Sequence, residues 1–215
     1  WVFGLLVMFF LIVGAYHGGA LPRPTSYIVR EKSAQLASGY FSVFAAFFRK
    51  KGIVSALAFL LLYRFSEAQL LKLVAPFLLD GRDAGGLGLS TQQVGILYGT
   101  IGVIALTIGG ILGGVAIARF GLRRLLWPML LALTLPNAVF VFLALTQPAG
   151  ATIVAAALAV EQFGYGVGFT AYMLYMMLVS EGEHRTAHYA ICTGFMALGM
   201  MLPGMAARWL QEQLG

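Results

Sequence analysis

The sequence predicts an all-α membrane protein, and three observations carry that prediction. Of 215 residues, 60% are hydrophobic and only 10% charged, with a mean hydropathy of +0.87; a soluble domain carries about 25% charged residues. Apolar stretches long enough to cross a bilayer, about 20 residues each, recur along the chain. Between them lie short, mostly basic turns. The net charge of +6 would suit nucleic acid only if the basic residues shared one exposed face. Here they separate apolar spans, so the implied partner is the lipid bilayer and not a nucleic acid.

Residues 1–16, WVFGLLVMFFLIVGAY, read as the end of a transmembrane helix. No basic segment precedes them and no small-residue cleavage site follows, so they are not a signal peptide. The chain reads as truncated at its start. Residues 17–51 form a linker: Pro22 and Pro24 keep its first part from being helical, beside Arg23, Arg30, Glu31 and Lys32. Within it, 33–48 places Leu36, Tyr40, Phe44, Phe47 and Phe48 at helical spacing, followed by Arg49, Lys50 and Lys51. That pattern fits an amphipathic helix lying in the membrane interface or a connector helix packed on the protein.

Residues 52–215 read as a transmembrane bundle with spans at about 53–79, 91–118, 125–146, 151–180 and 187–210. Pro76 bends the first near its end. A glycine-rich turn, DGRDAGGLGL at 80–89, leads to Ser90 and Gln93, the two residues of a capping box that starts the second span. Gly95/Gly99, Gly109/Gly113 and Gly110/Gly114 follow at the four-residue spacing that admits a close helix neighbour. Pro136 and Asn137 place a kink in the third span.

Basic residues set the orientation. The alternate loops starting from 17–52 hold Arg23, Arg30, Lys32, Arg49, Lys50, Lys51, Arg119, Arg123, Arg124 and Arg185, against Arg82 and Arg208 on the other side. Residues 17–51, 119–124 and 181–186 are therefore expected in the cytoplasm.

The spans at 53–79 and 151–180 hold Arg64, Glu67, Lys72 and Glu161. A charge at the bilayer centre costs about 2.5–3.5 kcal/mol even on insertion scales, and such groups face a protein interior or a polar path. Arg64 and Glu67, three residues apart, either line such a path or merely neutralise each other. Gln162 and Tyr63, Tyr165 and Tyr172 add hydrogen-bonding groups and flat faces, although helix packing would also explain each tyrosine. Glu161 has no basic residue within its own span and lies ten residues, about 15 Å, into the helix. It is the better candidate to carry a proton, unless Arg64 or Lys72 reaches it across the bundle.

Three stretches carry a family resemblance: YRFSEAQLLKLVAPFLL at 63–79, LSTQQVGILYGTIGVIALTIGGILGGVAIARFG at 89–121, and AVEQFGYGVGFTAYMLYMMLVSEGEHRTAHYAICTGFMALG at 159–199. Gly114, Arg119, Gly121 and Arg123 match the G-x-L-A-D-R-x-G-R-R loop of major facilitator transporters, with Ala118 in place of the acid and Leu122 in place of an arginine. Tyr63–Glu67 is similar to an aromatic-basic-x-x-acidic stretch, and Glu161, Gln162 and the following glycines to an E-N-x-x-x-G-x-G segment. The chain thus resembles the C-terminal half of muropeptide permeases of the AmpG type, relatives of the acetyl-coenzyme A transporters.

The resemblance implies a partial major facilitator fold of about five and a half transmembrane helices, without the N-terminal half and the final helix. It implies that 53–79 and 151–180 line the central cavity, and that Gly114, Arg119, Gly121, Arg123 and Arg124 form a cytoplasmic gating loop. The implied activity is proton-coupled import of anhydro-muropeptides across the bacterial inner membrane. Carriage of acetyl-coenzyme A or another organic anion is the alternative, as is a structural membrane subunit. No catalytic motif is visible. His184 and His188 have a metal-like spacing, but HRTAH lacks the glutamate of H-E-x-x-H, so neither metal nor cofactor is expected. Cys192 reads as a small buried hydrophobe.

Overall fold

The computed structural model describes residues 2–20 and 33–214, all in helices and short connections, with no strand among them. The polar linker residues Arg23, Arg30, Glu31 and Lys32, with Pro22 and Pro24, lie outside the described residues, as do the side chains of Leu36 and Arg208. The chain divides into residues 1–40 and residues 41–215. In the first unit, α1 (Val2–Ala20) runs four residues beyond the predicted end at 16. It is apolar all round, with Phe9, Phe10 and Leu11 exposed. Helix α2 (Ser33–Phe48) begins in this unit, and its residues from Phe41 belong to the second.

Within the second unit, the end of α2 is fixed by one buried ring. Phe47 is fully buried against His188, and Phe48 meets Phe195 edge-on. Phe41 and Phe44 stay exposed. The side chain of Lys50 donates to the carbonyls of Val179 and Glu181, both at 2.7 Å. Those carbonyls close a long helix, where a cation offsets the negative dipole end.

The first predicted span is not one helix. Helices α3 (Ile53–Leu62) and α4 (Phe65–Leu79) are broken at Tyr63–Arg64, whereas Pro76 sits inside α4. The carbonyl of Leu60, which a continuous helix would pair with the Arg64 N–H, accepts instead from the Tyr172 hydroxyl at 2.8 Å. The second span comprises α5 (Thr91–Ile96), a π-helical stretch at Leu97–Gly102, and α6 (Val103–Phe120). It starts at the predicted capping box: Ser90 Oγ accepts from the Gln93 N–H, and the Gln93 side chain accepts from the Ser90 N–H. Gly121, at φ +82°, turns the chain into α7 (Leu122–Thr134). The predicted kink follows as a 3₁₀ turn, Leu135–Asn137, before α8 (Ala138–Thr146). Helices α9 (Ala151–Val179) and α10 (Arg185–Leu214) are continuous, and Pro203 lies inside α10.

Helix α9 lies at the centre, with α6 and α7 along it and α10 against α3 and α4. Lipid offers apolar side chains no less than a protein core does, so helices in a bilayer associate by close packing. The glycines provide it here. A methyl group on Gly109 would run into the Phe163 carbonyl, and one on Gly166 into the Leu106 carbonyl. Gly95 and Gly99 were expected to pack in the same way, but a methyl on either would meet nothing within 4 Å. The outward face of α6, including Ile104, Ile111, Leu112 and Val115, is apolar and exposed. Among the described residues, four helical stretches are long and apolar enough to cross a membrane. The chain is a multi-pass, all-α membrane protein.

Candidate functional site

Arg64 sits where α3 gives way to α4, and its side chain is clamped by three hydrogen bonds. Its Nε donates to Glu67 Oε2 at 2.8 Å, and Nη2 donates to Glu67 Oε1 at 2.6 Å and to the Tyr165 hydroxyl at 2.8 Å. The guanidinium also lies 5.5 Å from the centre of the Tyr165 ring and 5.1 Å from that of Phe169, which stack on each other. Arg64 and Glu67 are each 8% exposed. This is a bidentate, aromatic-flanked pair of the kind arginine forms and lysine cannot. One group is left over: Arg64 Nη1 has no hydrogen-bond partner among the described residues.

The pair borders a cavity of about 490 Å³ between α4, α5 with the π-helical stretch, and α9. Apolar walls come from α4, chiefly Leu70, Leu71, Val74 and Leu78. Further polar groups come from α9 and from Tyr98. Glu161, 6% exposed, accepts a 2.9 Å hydrogen bond from the Gln162 amide. An apolar cleft with a few convergent polar groups is the usual form of a small-molecule site.

The structure brings together Arg64, Glu67, Glu161, Gln162 and Tyr165 around this cavity. It does not bring Lys72 there. Lys72 is exposed on α4, where it lines a separate cleft of about 300 Å³ with Met200, Met201 and Met205 and packs against Gly204. Lys72 follows Leu71 by one residue, about 100° round the helix, and so leaves the face of α4 that Leu71, Val74 and Leu78 present to the cavity.

Tyr63 and Tyr172 are also outside the cavity lining. Their rings stack on each other at 5.0 Å, and their hydroxyls donate to the carbonyls of Gly168 and Leu60. They tie the broken helix to α9. Tyr98 is the cavity residue that the sequence reading missed. No periodicity marks it, because the π-helical stretch that orients it departs from the 3.6-residue repeat.

The remaining candidates lie at one end of the bundle. Arg119, Arg123 and Arg124 are exposed around the Gly121 turn, with Gly114 half-buried beside Thr170. His188 is buried, with Nε2 3.3 Å from the Val43 carbonyl, and His184 lies edge-on to it at 5.9 Å. Among the described residues no three His, Cys, Asp or Glu side chains gather as metal ligands. Cys192 is fully buried and lies 3.5 Å from Ser180 Oγ.

A membrane-embedded ion pair opening on a cleft is the feature to set beside proteins of known name. The chain is similar to anhydromuropeptide permeases. It is 25% identical over 194 residues to the anhydromuropeptide permease of Escherichia coli K12, covering 90% of this chain and 38% of the relative. The same figures hold for the permease of Escherichia coli O157:H7. A Rickettsia typhi protein provisionally named transporter AmpG 2 is 24% identical over 194 residues, covering 88% of this chain and 45% of that protein. The chain thus spans less than half the length of these relatives. No protein-family model matches it.

Proposed function

We propose that the chain is part of a secondary transporter of the major facilitator type, importing anhydro-muropeptides with protons across the bacterial inner membrane. The observation that carries this reading is the buried Arg64, which lines the cavity, is held by Glu67 and Tyr165, and has Nη1 without a partner among the described residues. A buried charge is retained where it serves a path, and a guanidinium edge matches a substrate carboxylate. The name of the Escherichia coli relatives supplies the substrate class.

In this reading Arg64 binds the substrate's carboxylate and Tyr165 and Glu67 hold the guanidinium in place. Glu161 takes up and releases the coupled proton, with Gln162 steadying its carboxylate. Tyr63 and Tyr172, outside the cavity lining, keep the helix break in shape, while Lys72 stays in its separate cleft and does not hold the substrate. The site alternates in access as this bundle rocks against a second one, contributed by the N-terminal half of the same protein. The linker 17–51 and the turns 119–124 and 181–186 face the cytoplasm. There Gly114, Gly121, Arg119, Arg123 and Arg124 make contacts that differ between the two states.

The test is uptake into proteoliposomes containing the full-length protein. Labelled anhydro-muropeptide should accumulate under an inward proton gradient, and Arg64→Lys should abolish that accumulation. Preference for labelled acetyl-coenzyme A would replace the substrate class. Absence of any uptake, with the protein folded, would leave a structural subunit.

A further inference from the structure

The cavity holds a second polar end whose hydrogen-bonding capacity is uncommitted. Tyr98 lies in its wall on the π-helical stretch, and its hydroxyl has no hydrogen-bond partner among the described residues. In that it differs from Tyr165, which accepts from Arg64, and from Tyr63 and Tyr172, which donate to backbone carbonyls. Gln162 shares the cavity. Its Nε2 holds Glu161, and its Oε1 takes no donor among the described residues. A phenol, an amide oxygen and a carboxylate oxygen together suit a ligand portion rich in hydroxyl and amide groups, and the phenol ring offers a flat face to it. This set has no cation, so it complements the end held by Arg64.

The backbone places Tyr98 deliberately. A π-helical turn accommodates one residue more than an α-helical turn, and such insertions cluster at functional sites. Gly102 closes the stretch against Gln162: a methyl there would lie 3.3 Å from Gln162 Cγ. Without the extra residue, everything before it would rotate by about 100° relative to α6, and Tyr98 would leave the cavity wall.

We propose that Tyr98 is a specificity-determining residue, held in the cavity by the π-helical stretch to hydrogen-bond the uncharged sugar portion of the substrate whose carboxylate meets Arg64. This assignment rests on the transport reading above. It gives the site two ends that read two parts of one molecule, an anionic part at α4 and a hydroxyl-bearing part between Tyr98 and Gln162.

The test measures binding of labelled anhydro-muropeptide to the full-length protein in detergent, with the sugar portion alone and the peptide portion alone as competitors. Tyr98→Phe keeps the ring and removes the hydroxyl, and its thermal unfolding should match the parent. It should weaken binding of the whole ligand and of the sugar portion by about tenfold, leaving competition by the peptide portion unchanged. Deleting Thr100, which restores the α-helical register, should reproduce that loss more severely. Unchanged binding of the sugar portion by Tyr98→Phe overturns the assignment, and so does equal weakening of both portions. If the parent protein binds the peptide portion but not the sugar portion, the assignment fails while the transport reading stands. If the parent binds none of the three probes, the transport reading fails and the assignment with it.

Discussion

Removing Arg64 should expose how the ion pair contributes to the folded state. Arg64→Ala deletes three hydrogen bonds of 2.6 to 2.8 Å and leaves Glu67, 8% exposed, without its cation. Breaking a buried pair from one side costs about 3–5 kcal/mol, mostly because the remaining charge stays buried. At about 1–2 °C per kcal/mol for a protein more than twice the length of this chain, the full-length protein in detergent should melt about 5 °C lower. Adding Glu67→Ala removes the stranded charge and should recover most of that loss. What stays lost is the Tyr165 hydrogen bond, about 1 kcal/mol. Fluorescence-detected unfolding of the parent, both single variants and the double variant gives the coupling energy directly. A parent-like melting temperature for Arg64→Ala would refute the reasoning, since the guanidinium would then not be compensating a buried carboxylate.

Three further outcomes are expected. Tyr172→Phe should destabilise by about 1–3 kcal/mol and Tyr63→Phe by less. The reason is that Leu60 O lies at the helix break and depends on the Tyr172 hydroxyl, whereas Gly168 O lies within continuous α9. Thermal unfolding orders the two. Gly166→Ala should prevent folded expression, because its methyl collides with the Leu106 carbonyl, while Gly95→Ala, with open space around it, should express as the parent does; size-exclusion profiles from small-scale cultures decide this. In proteoliposomes Glu161→Gln should retain equilibrium exchange of anhydro-muropeptide and lose proton-driven accumulation, and intact accumulation would remove Glu161 from the proton path.

The helices themselves were legible in the sequence because a bilayer imposes a one-dimensional rule. Every backbone polar group must be paired internally, so each apolar run of sufficient length is a helix. The capping box at Ser90 and Gln93 and the kink at Pro136 were equally local, written in residues a few positions apart. The pairing of Arg64 with Glu67 was within reach for the same reason, as a contact one turn apart.

What the tertiary structure alone decided is where the chain departs from its regular repeat. The break at Tyr63–Arg64 persists because Tyr172, more than a hundred residues away, satisfies a carbonyl that the helix does not. The π-helical stretch at Leu97–Gly102 turns Tyr98 inward, with Gly102 pressed against Gln162 on α9. The separate cleft that holds Lys72 is made by α10 lying beside α4. Each is a contact between distant residues that overrides a local preference. Charge and hydropathy along the chain could therefore nominate Arg64, Glu67 and Glu161 as special, but only the packing of α9 against the interrupted helices puts them around one cavity.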